Sequence, residues 1–429
     1  MTRLNLTRRS TLGLIAAGSA SLAMPHYARA SNGAHVVVVG GGFGGATAAR
    51  YLRRRMPDLA VTLIEPAETF YTCPFSNLYL GGLRSFESIG HGFDDLRAHG
   101  VEVIHAYADA VDSDARKVTL SDGTVLDYDK LVLSPGVDMQ WGALDGYDEA
   151  ASERAPHAWK AGAQTQLLKS QLDAMEDGGL FVMSIPDNPF RCPPGPYERA
   201  SMIAHYFKEN KPASKLLLLD SKDSFSKQGL FQAGWDALYG DMIEWVPMSE
   251  DGRVIRVDAE ALEVETAFGE IHKAAVLNVI PPQKAGAIAD KAGVVDNTGW
   301  VPVNGQTFES QLVEHIHVVG DATIAAPMPK SGFCASGQGK VAAAAIVAML
   351  RDEAPPPSHF ANTCYSLIGP DYGISVAGVY HAPDGVIAEM PDSGGVSPAD
   401  APASFRRQEA RYGAGWYASI SQDIWGSSA

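Results

Sequence analysis

The sequence has little cysteine, a shortage of positive charge and no long apolar run. Its four Cys, at 73, 192, 334 and 364 among 429 residues, allow at most two bridges and exclude a disulfide-stapled scaffold. No C-x-x-C-H occurs, so the chain attaches no c-type haem, and its twelve His are scattered without metal-ligand spacing. No metal site is expected. Lys and Arg number 34 against 50 Asp and Glu, a net charge of −16. Such an acidic surface repels phosphates, which excludes nucleic-acid binding, and favours encounter with a basic partner. Beyond residue 30 nothing supplies the ~20 uninterrupted apolar residues of a bilayer span. What remains is a globular composition, 46% hydrophobic and 20% charged, long enough for two to three domains.

The first thirty residues stand apart. They contain Arg3, Arg8, Arg9 and Arg29 and no acid. Thr7-Arg8-Arg9-Ser10 precedes a mildly apolar run to Ala23, and Ala28-Arg29-Ala30 offers a small-x-small cleavage site. This pattern predicts a twin-Arg signal peptide over residues 1–30, a mature start near Ser31 and a periplasmic location. In that oxidising compartment a disulfide among the four Cys is plausible.

A βαβ unit follows. His35–Val39 reads as a strand, Gly40-Gly41-Gly42-Phe43-Gly44-Gly45 as its turn, and an Ala-rich helix runs from Ala46 to about Arg55. A second strand, Val61–Ile64, ends in Glu65. The glycines Gly40, Gly42 and Gly45 let backbone approach a pyrophosphate at the positive end of the helix, and Glu65 can bind a ribose hydroxyl. The nucleotide is indicated further on. His315–Ala322 (HIHVVGDA) is a strand ending in Gly-Asp ahead of a Pro-rich loop and a helix near Gln338. Asp321 there suits the ribityl chain of FAD, the alternative being a simple helix cap. Between these segments lies a second Rossmann-like module: a strand Leu180–Ile185, a helix Tyr197–Phe207 and a strand Leu216–Leu219 ending in Asp220. Its first turn, Pro186–Pro196, is proline-rich and holds a single Gly, so the fold is kept and the nicotinamide fingerprint lost.

The cysteines leave alternatives open. Cys73, in Phe70-Tyr71-Thr72-Cys73-Pro74-Phe75-Ser76-Asn77, can be a buried apolar filler, a redox thiol or a covalent flavin anchor. Cys192 and Cys364 each sit at a module edge, where they can form a structural bridge or a redox disulfide over the isoalloxazine. Cys334, in Lys330-Ser-Gly-Phe-Cys-Ala-Ser-Gly-Gln338, is a third candidate partner.

With those residues in view, the chain from about residue 35 onward resembles the flavoprotein subunit of flavocytochrome c sulfide dehydrogenase. The likeness is carried by VVVVGGGFGGATAA, LIEPAETFYTCPFSN, PFRCPPGPYERAS (189–201), PMPKSGF (327–333), NTCYS (362–366), YGISVAG (372–378) and PDSGGVSP (391–398). The resemblance implies a glutathione-reductase-like fold, FAD bound covalently through Cys73, and a redox disulfide between Cys192 and Cys364. It also implies a c-type cytochrome partner that takes electrons singly. Glu198, six residues after Cys192, is the candidate acid/base, a solvated helix-face Glu being the alternative. Cys334 departs from the family pattern, where a small polar residue is expected.

These readings combine into an α/β chain of two Rossmann-like domains plus a smaller C-terminal α+β domain. The expected division is signal 1–30, FAD-binding domain 31–145 and 287–354, second Rossmann-like domain 146–286, and C-terminal domain 355–429. The expected function is periplasmic, FAD-dependent oxidation of sulfide to sulfur or polysulfide, with electrons passed to the cytochrome. The alternatives are a sulfide:quinone oxidoreductase, or a non-catalytic redox or assembly flavoprotein of a sulfur-oxidising complex.

Overall fold

The computed structural model describes residues 33–426. The signal segment read at residues 1–30 lies outside the described residues. Val36–Val38 and Leu131–Leu133 are continuous apolar runs with no exposed face, the pattern of strands covered on both sides by helices. They occupy the centre of a five-stranded parallel sheet. Its order is Ile316–Val318, Lys130–Leu133, His35–Val39, Ala60–Ile64 and Glu102–Ile104. A second parallel sheet holds Ile243–Val246, Lys215–Asp220, Leu180–Ile185 and Val276–Val279. Each sheet is interrupted in the chain by a three-stranded antiparallel meander, at residues 108–127 ahead of strand Lys130–Leu133 and at residues 254–273 ahead of strand Val276–Val279. The two modules are clasped by an antiparallel pair, Val137–Met139 with Gln283–Ala285.

Beyond the returning strand Ile316–Val318, helix Gly332–Leu350 packs along helix Phe43–Arg55. The sequence placed this helix near Gln338, six residues late. Ser331 supplies the earlier start, since its Oγ accepts the Cys334 N–H as an N-cap. Length and composition alone would let this helix cross a membrane. In the fold its Ala342, Ala343, Ala345 and Ile346 are fully buried in the protein core. The chain closes with a long antiparallel hairpin, His359–Gly369 with Tyr372–His381, covered by helix Ala403–Trp425. The hairpin brings its own residues 362–366 against the first two modules.

Candidate active site

Strand His35–Val39 ends at Gly40, whose φ of +101° suits glycine; a Cβ there would stand 2.3 Å from the Ser134 carbonyl oxygen. Gly45 is required for a different reason. Its Cβ would fall 1.9 Å from the Gly40 carbonyl oxygen, so only glycine lets the helix start against the strand. Gly40, Gly42 and Gly44 line a groove of about 570 Å³ together with Glu65, Cys73, Ser134, Arg191 and Asp321. Gly45 lies behind it as a packing residue. Glu65 is buried, its carboxylate accepting the Gly41 N–H at 2.7 Å and the Ala67 N–H at 3.0 Å. Asp321 has a buried Oδ1 with no hydrogen-bond partner in the protein. The helix that follows is capped by Ser331, not by Asp321. Burial pushes the Asp321 carboxyl up, opposed by Arg191 and Lys330.

A glycine cradle that admits no Cβ, an acid at the end of the second strand and an unpartnered carboxylate oxygen fit a dinucleotide with a polyol chain, as FAD has. In the second module the comparable acid is consumed internally. Asp220 accepts the Tyr197 hydroxyl at 2.6 Å, the Trp245 indole N–H at 2.9 Å and the Lys222 ammonium at 2.5 Å. The Pro186–Pro196 turn beside it presents proline rings in place of a backbone cradle.

The groove meets a second cavity of about 100 Å³. Cys73, Cys192 and Cys364 line it together with Glu198, Arg199 and Trp416. Cys73 and Arg191 line both cavities. Three separate elements deliver the three thiols. Cys73 precedes the short helix Ser76–Leu80; Cys192 sits in the proline-rich turn at φ +58°, its N–H bonded to the Lys330 carbonyl at 2.9 Å; Cys364 lies on strand His359–Gly369. The thiols are unbonded in the structure. Cys334 is also unbonded and lies in the core behind this cavity, buried in the first turn of helix Gly332–Leu350.

Glu198 is not a solvated helix-face residue. One carboxylate oxygen accepts the Leu367 N–H at 2.9 Å and the other the Asn77 side-chain N–H at 2.9 Å. Burial raises its pKa above the ordinary carboxylate value, against the pull of those two donors, Lys227 and Arg199. Burial also pushes up the thiols of Cys192 and Cys364. For Cys192 the neighbouring Cys364 and Glu198 add to the rise and Arg191 opposes it; for Cys364 the main opposing group is Lys227.

Sequence reasoning did not single out the cations around this cavity. Arg199, 1% exposed, donates to the Asn77 and Asn278 side-chain oxygens at 3.2 and 2.9 Å. It also donates to the His157 and Ala158 carbonyls at 3.0 and 2.6 Å. Lys227 is buried, with its ammonium on the Cys364 carbonyl at 2.9 Å and the Ser366 hydroxyl at 2.8 Å. Burial lowers its pKa to about 8, and the charges of Cys364 and Glu198 pull the other way. The available signal was position: Arg191 adjoins Cys192, and Asn77 follows Cys73 by four residues. Nothing in the local sequence marks Lys227.

The two parallel sheets, the glycine cradle and the thiol-lined cavity define an α/β flavoprotein of the two-dinucleotide-domain class. Comparison with known proteins places it within that class. Residues 165–281 match the model of the sulfide dehydrogenase [flavocytochrome c] flavoprotein chain, central, and residues 356–425 that of the flavocytochrome c sulphide dehydrogenase, flavin-binding. Residues 34–171 match the pyridine nucleotide-disulphide oxidoreductase model. The sulfide dehydrogenase [flavocytochrome c] flavoprotein chain of Chlorobaculum thiosulfatiphilum is 67% identical over 42 residues, 10% of this chain and 88% of that sequence. The mitochondrial sulfide:quinone oxidoreductase of Mus musculus is 21% identical over 370 residues, 83% of this chain and 80% of that one. The solved sulfide:quinone oxidoreductase of Aquifex aeolicus superposes with a TM-score of 0.67 at 22% identity, covering 92% and 93% of the two chains. The chain belongs to the flavocytochrome c sulfide dehydrogenase flavoprotein family.

Proposed function

We propose that this protein is a periplasmic sulfide dehydrogenase that uses covalently held FAD and a Cys192–Cys364 redox disulfide and gives its electrons to a c-type cytochrome. Sulfide oxidation with FAD is the common chemistry of the family it belongs to. One observation carries the finer reading. Cys192 and Cys364, far apart in sequence, line one small cavity that shares Cys73 and Arg191 with the dinucleotide groove.

The residues present divide the work as follows. A cavity of about 100 Å³ takes hydrosulfide or a short polysulfide chain. Arg191, at the junction of the two cavities, attracts the anion. Hydrosulfide attacks one sulfur of the oxidised pair, so that one S–S bond forms as another breaks. One cysteine then carries a persulfide and the other a thiolate. Glu198, whose carboxyl is raised by burial, takes the proton when sulfide enters as H₂S. Gly40, Gly42, Glu65 and Asp321 would hold the FAD, and Cys73, which lines the same groove, would anchor it. FAD, when bound, would supply the conversion between an electron pair and single electrons that a haem acceptor needs.

The test is an anaerobic sulfide titration of the mature protein, followed by acid precipitation. Bleaching of the visible flavin band near stoichiometric sulfide is expected, with the yellow colour in the pellet. It should be lost in Cys192→Ser and Cys364→Ser protein, and Cys73→Ser should release the colour to the supernatant. An unbleached flavin, or normal sulfide turnover by either Cys→Ser variant, overturns the dehydrogenase reading. Reduction of a quinone analogue but not of cytochrome c would transfer the protein to the sulfide:quinone oxidoreductase reading.

A further inference from the structure

Cys334 has no part in the chemistry so far, yet its surroundings are built. It is 1% exposed, Asn362 3% and Ser331 9%, and the three side chains bond to one another behind Cys364. The Ser331 hydroxyl oxygen already accepts the Cys334 backbone N–H at 3.1 Å, which leaves its hydrogen for the Asn362 Oδ1 at 2.8 Å. The Cys334 thiol points at the same Oδ1 from 3.4 Å. Two donors share one carbonyl oxygen in this arrangement, whereas the reversed amide would have to use the second Ser331 lone pair and a weakly accepting thiol sulfur. The amide so held presents its Nδ2 to the Cys364 Sγ at 3.4 Å, and its Oδ1 lies 3.6 Å from the same sulfur.

We propose that Asn362 is a positioning residue for the Cys364 sulfur, and that Cys334 and Ser331 hold its amide so that Nδ2 faces that sulfur. The inference rests on the reading of Cys364 as a redox thiol. It gives Cys334 the work of a hydrogen-bond donor and removes it as a third redox partner. Cys334 does not line the cavity that Cys73, Cys192 and Cys364 share, and burial pushes its thiol well above its ordinary range, which keeps it protonated. A protonated thiol is what the Asn362 carbonyl requires.

An Nδ2 donor is worth most when Cys364 is a thiolate, since hydrogen bonds to a charged acceptor are about twice as strong as neutral ones. The thiol form is accommodated too, because it can donate back to Oδ1. Other groups act on Cys364 from the surrounding elements. Lys227, Asn362 and Ser331 favour its charged form, and Glu198 opposes it. Cys192 lies across the cavity, Cys334 stands on the helix behind, and Tyr380 on the paired strand has a raised pKa to which Cys364 contributes.

The experiment is the pH dependence of Cys364 alkylation by iodoacetamide in the reduced holoprotein, resolved by peptide mass spectrometry. Cys334→Ala should move the midpoint upward, with alkylation about threefold slower at a fixed pH below it, and Cys334→Ser should restore it. Asn362→Leu should shift it by about one pH unit, tenfold in rate. Midpoints equal to wild type in both Cys334→Ala and Asn362→Leu would overturn the proposal. So would a Cys334 disulfide to Cys192 or Cys364 in sulfide-treated protein, which would make Cys334 a redox partner. The midpoint is read without turnover. Normal sulfide oxidation by Cys364→Ser would therefore sink the redox reading of Cys364 and leave the alkylation result to decide the hydrogen-bond geometry.

Discussion

Lys227→Met should make the protein more stable at neutral pH and slower in sulfide oxidation. The ammonium is buried against the Cys364 carbonyl and the Ser366 hydroxyl, and its pKa is held at about 8 in place of 10.5. Below pH 8 the folded and unfolded chains both carry the proton, and the folded state bears the full penalty of a charge it disfavours. Between pH 8 and 10.5 the unfolded chain keeps the proton that the folded one has released, so stability rises with pH. That interval, at about 1.4 kcal/mol per pH unit, is worth about 3 kcal/mol. Methionine removes the penalty and strands two acceptors, at about 1 kcal/mol each. The variant should therefore be more stable by about 1 kcal/mol at pH 7 in urea unfolding, and this margin should shrink and reverse by pH 10.5. Turnover should fall, because the cation opposing the burial of Cys364 is gone, which is the trade of stability for function. A difference between variant and wild type that does not change from pH 7 to pH 10 would refute the reasoning. So would a variant less stable than wild type at pH 7.

Arg199→Leu should lower the urea midpoint by the equivalent of at least about 3 kcal/mol, since it leaves the Asn77 and Asn278 side-chain oxygens and the His157 and Ala158 carbonyls without their donor; an unchanged midpoint contradicts this. Gly45→Ala places a Cβ 1.9 Å from the Gly40 carbonyl oxygen, so the purified protein should carry far less than one flavin per chain by absorbance, and full occupancy would show that the turn can give way. Glu198 is protonated more readily in the folded protein than its ordinary 4.5 allows. The stability it contributes is present at acid pH and lost as pH rises through its folded value. Glu198→Gln should flatten that part of the stability–pH curve, and it should cost about 1–3 kcal/mol, because an amide cannot accept from both the Leu367 and Asn77 donors. An unaltered curve would place the titration elsewhere.

The first βαβ unit was legible because all of its determinants are local. Apolar strands, glycines at the turn and an acid at the next strand end lie within thirty residues of one another, and each acts on its neighbours. The start of helix Gly332–Leu350 was not legible, because it depends on one cap, Ser331, followed by a glycine that favours loops. That six-residue error had a consequence. It left Cys334 in a loop, where a thiol is exposed and free to pair, whereas the first helical turn buries it with its sulfur on Asn362. The cavity was legible only in its parts. Cys73, Cys192 and Cys364 arrive from the first module, the second module and the C-terminal hairpin, and no periodicity relates their spacings. The hydrogen bonds that place Glu198 run to Asn77 and Leu367, residues 121 and 169 positions away. Lys227 is the extreme case. In sequence it is one of the 34 cations of an acidic chain, and a solvated lysine would be the ordinary reading. What makes it part of the site is its burial beneath Cys364, a property of the packing of three elements. Local sequence therefore identified the glycine-lined groove, whose walls are turn backbone and strand ends. The thiol cavity required the tertiary fold, because its chemistry depends on which charges are excluded from water beside which sulfur.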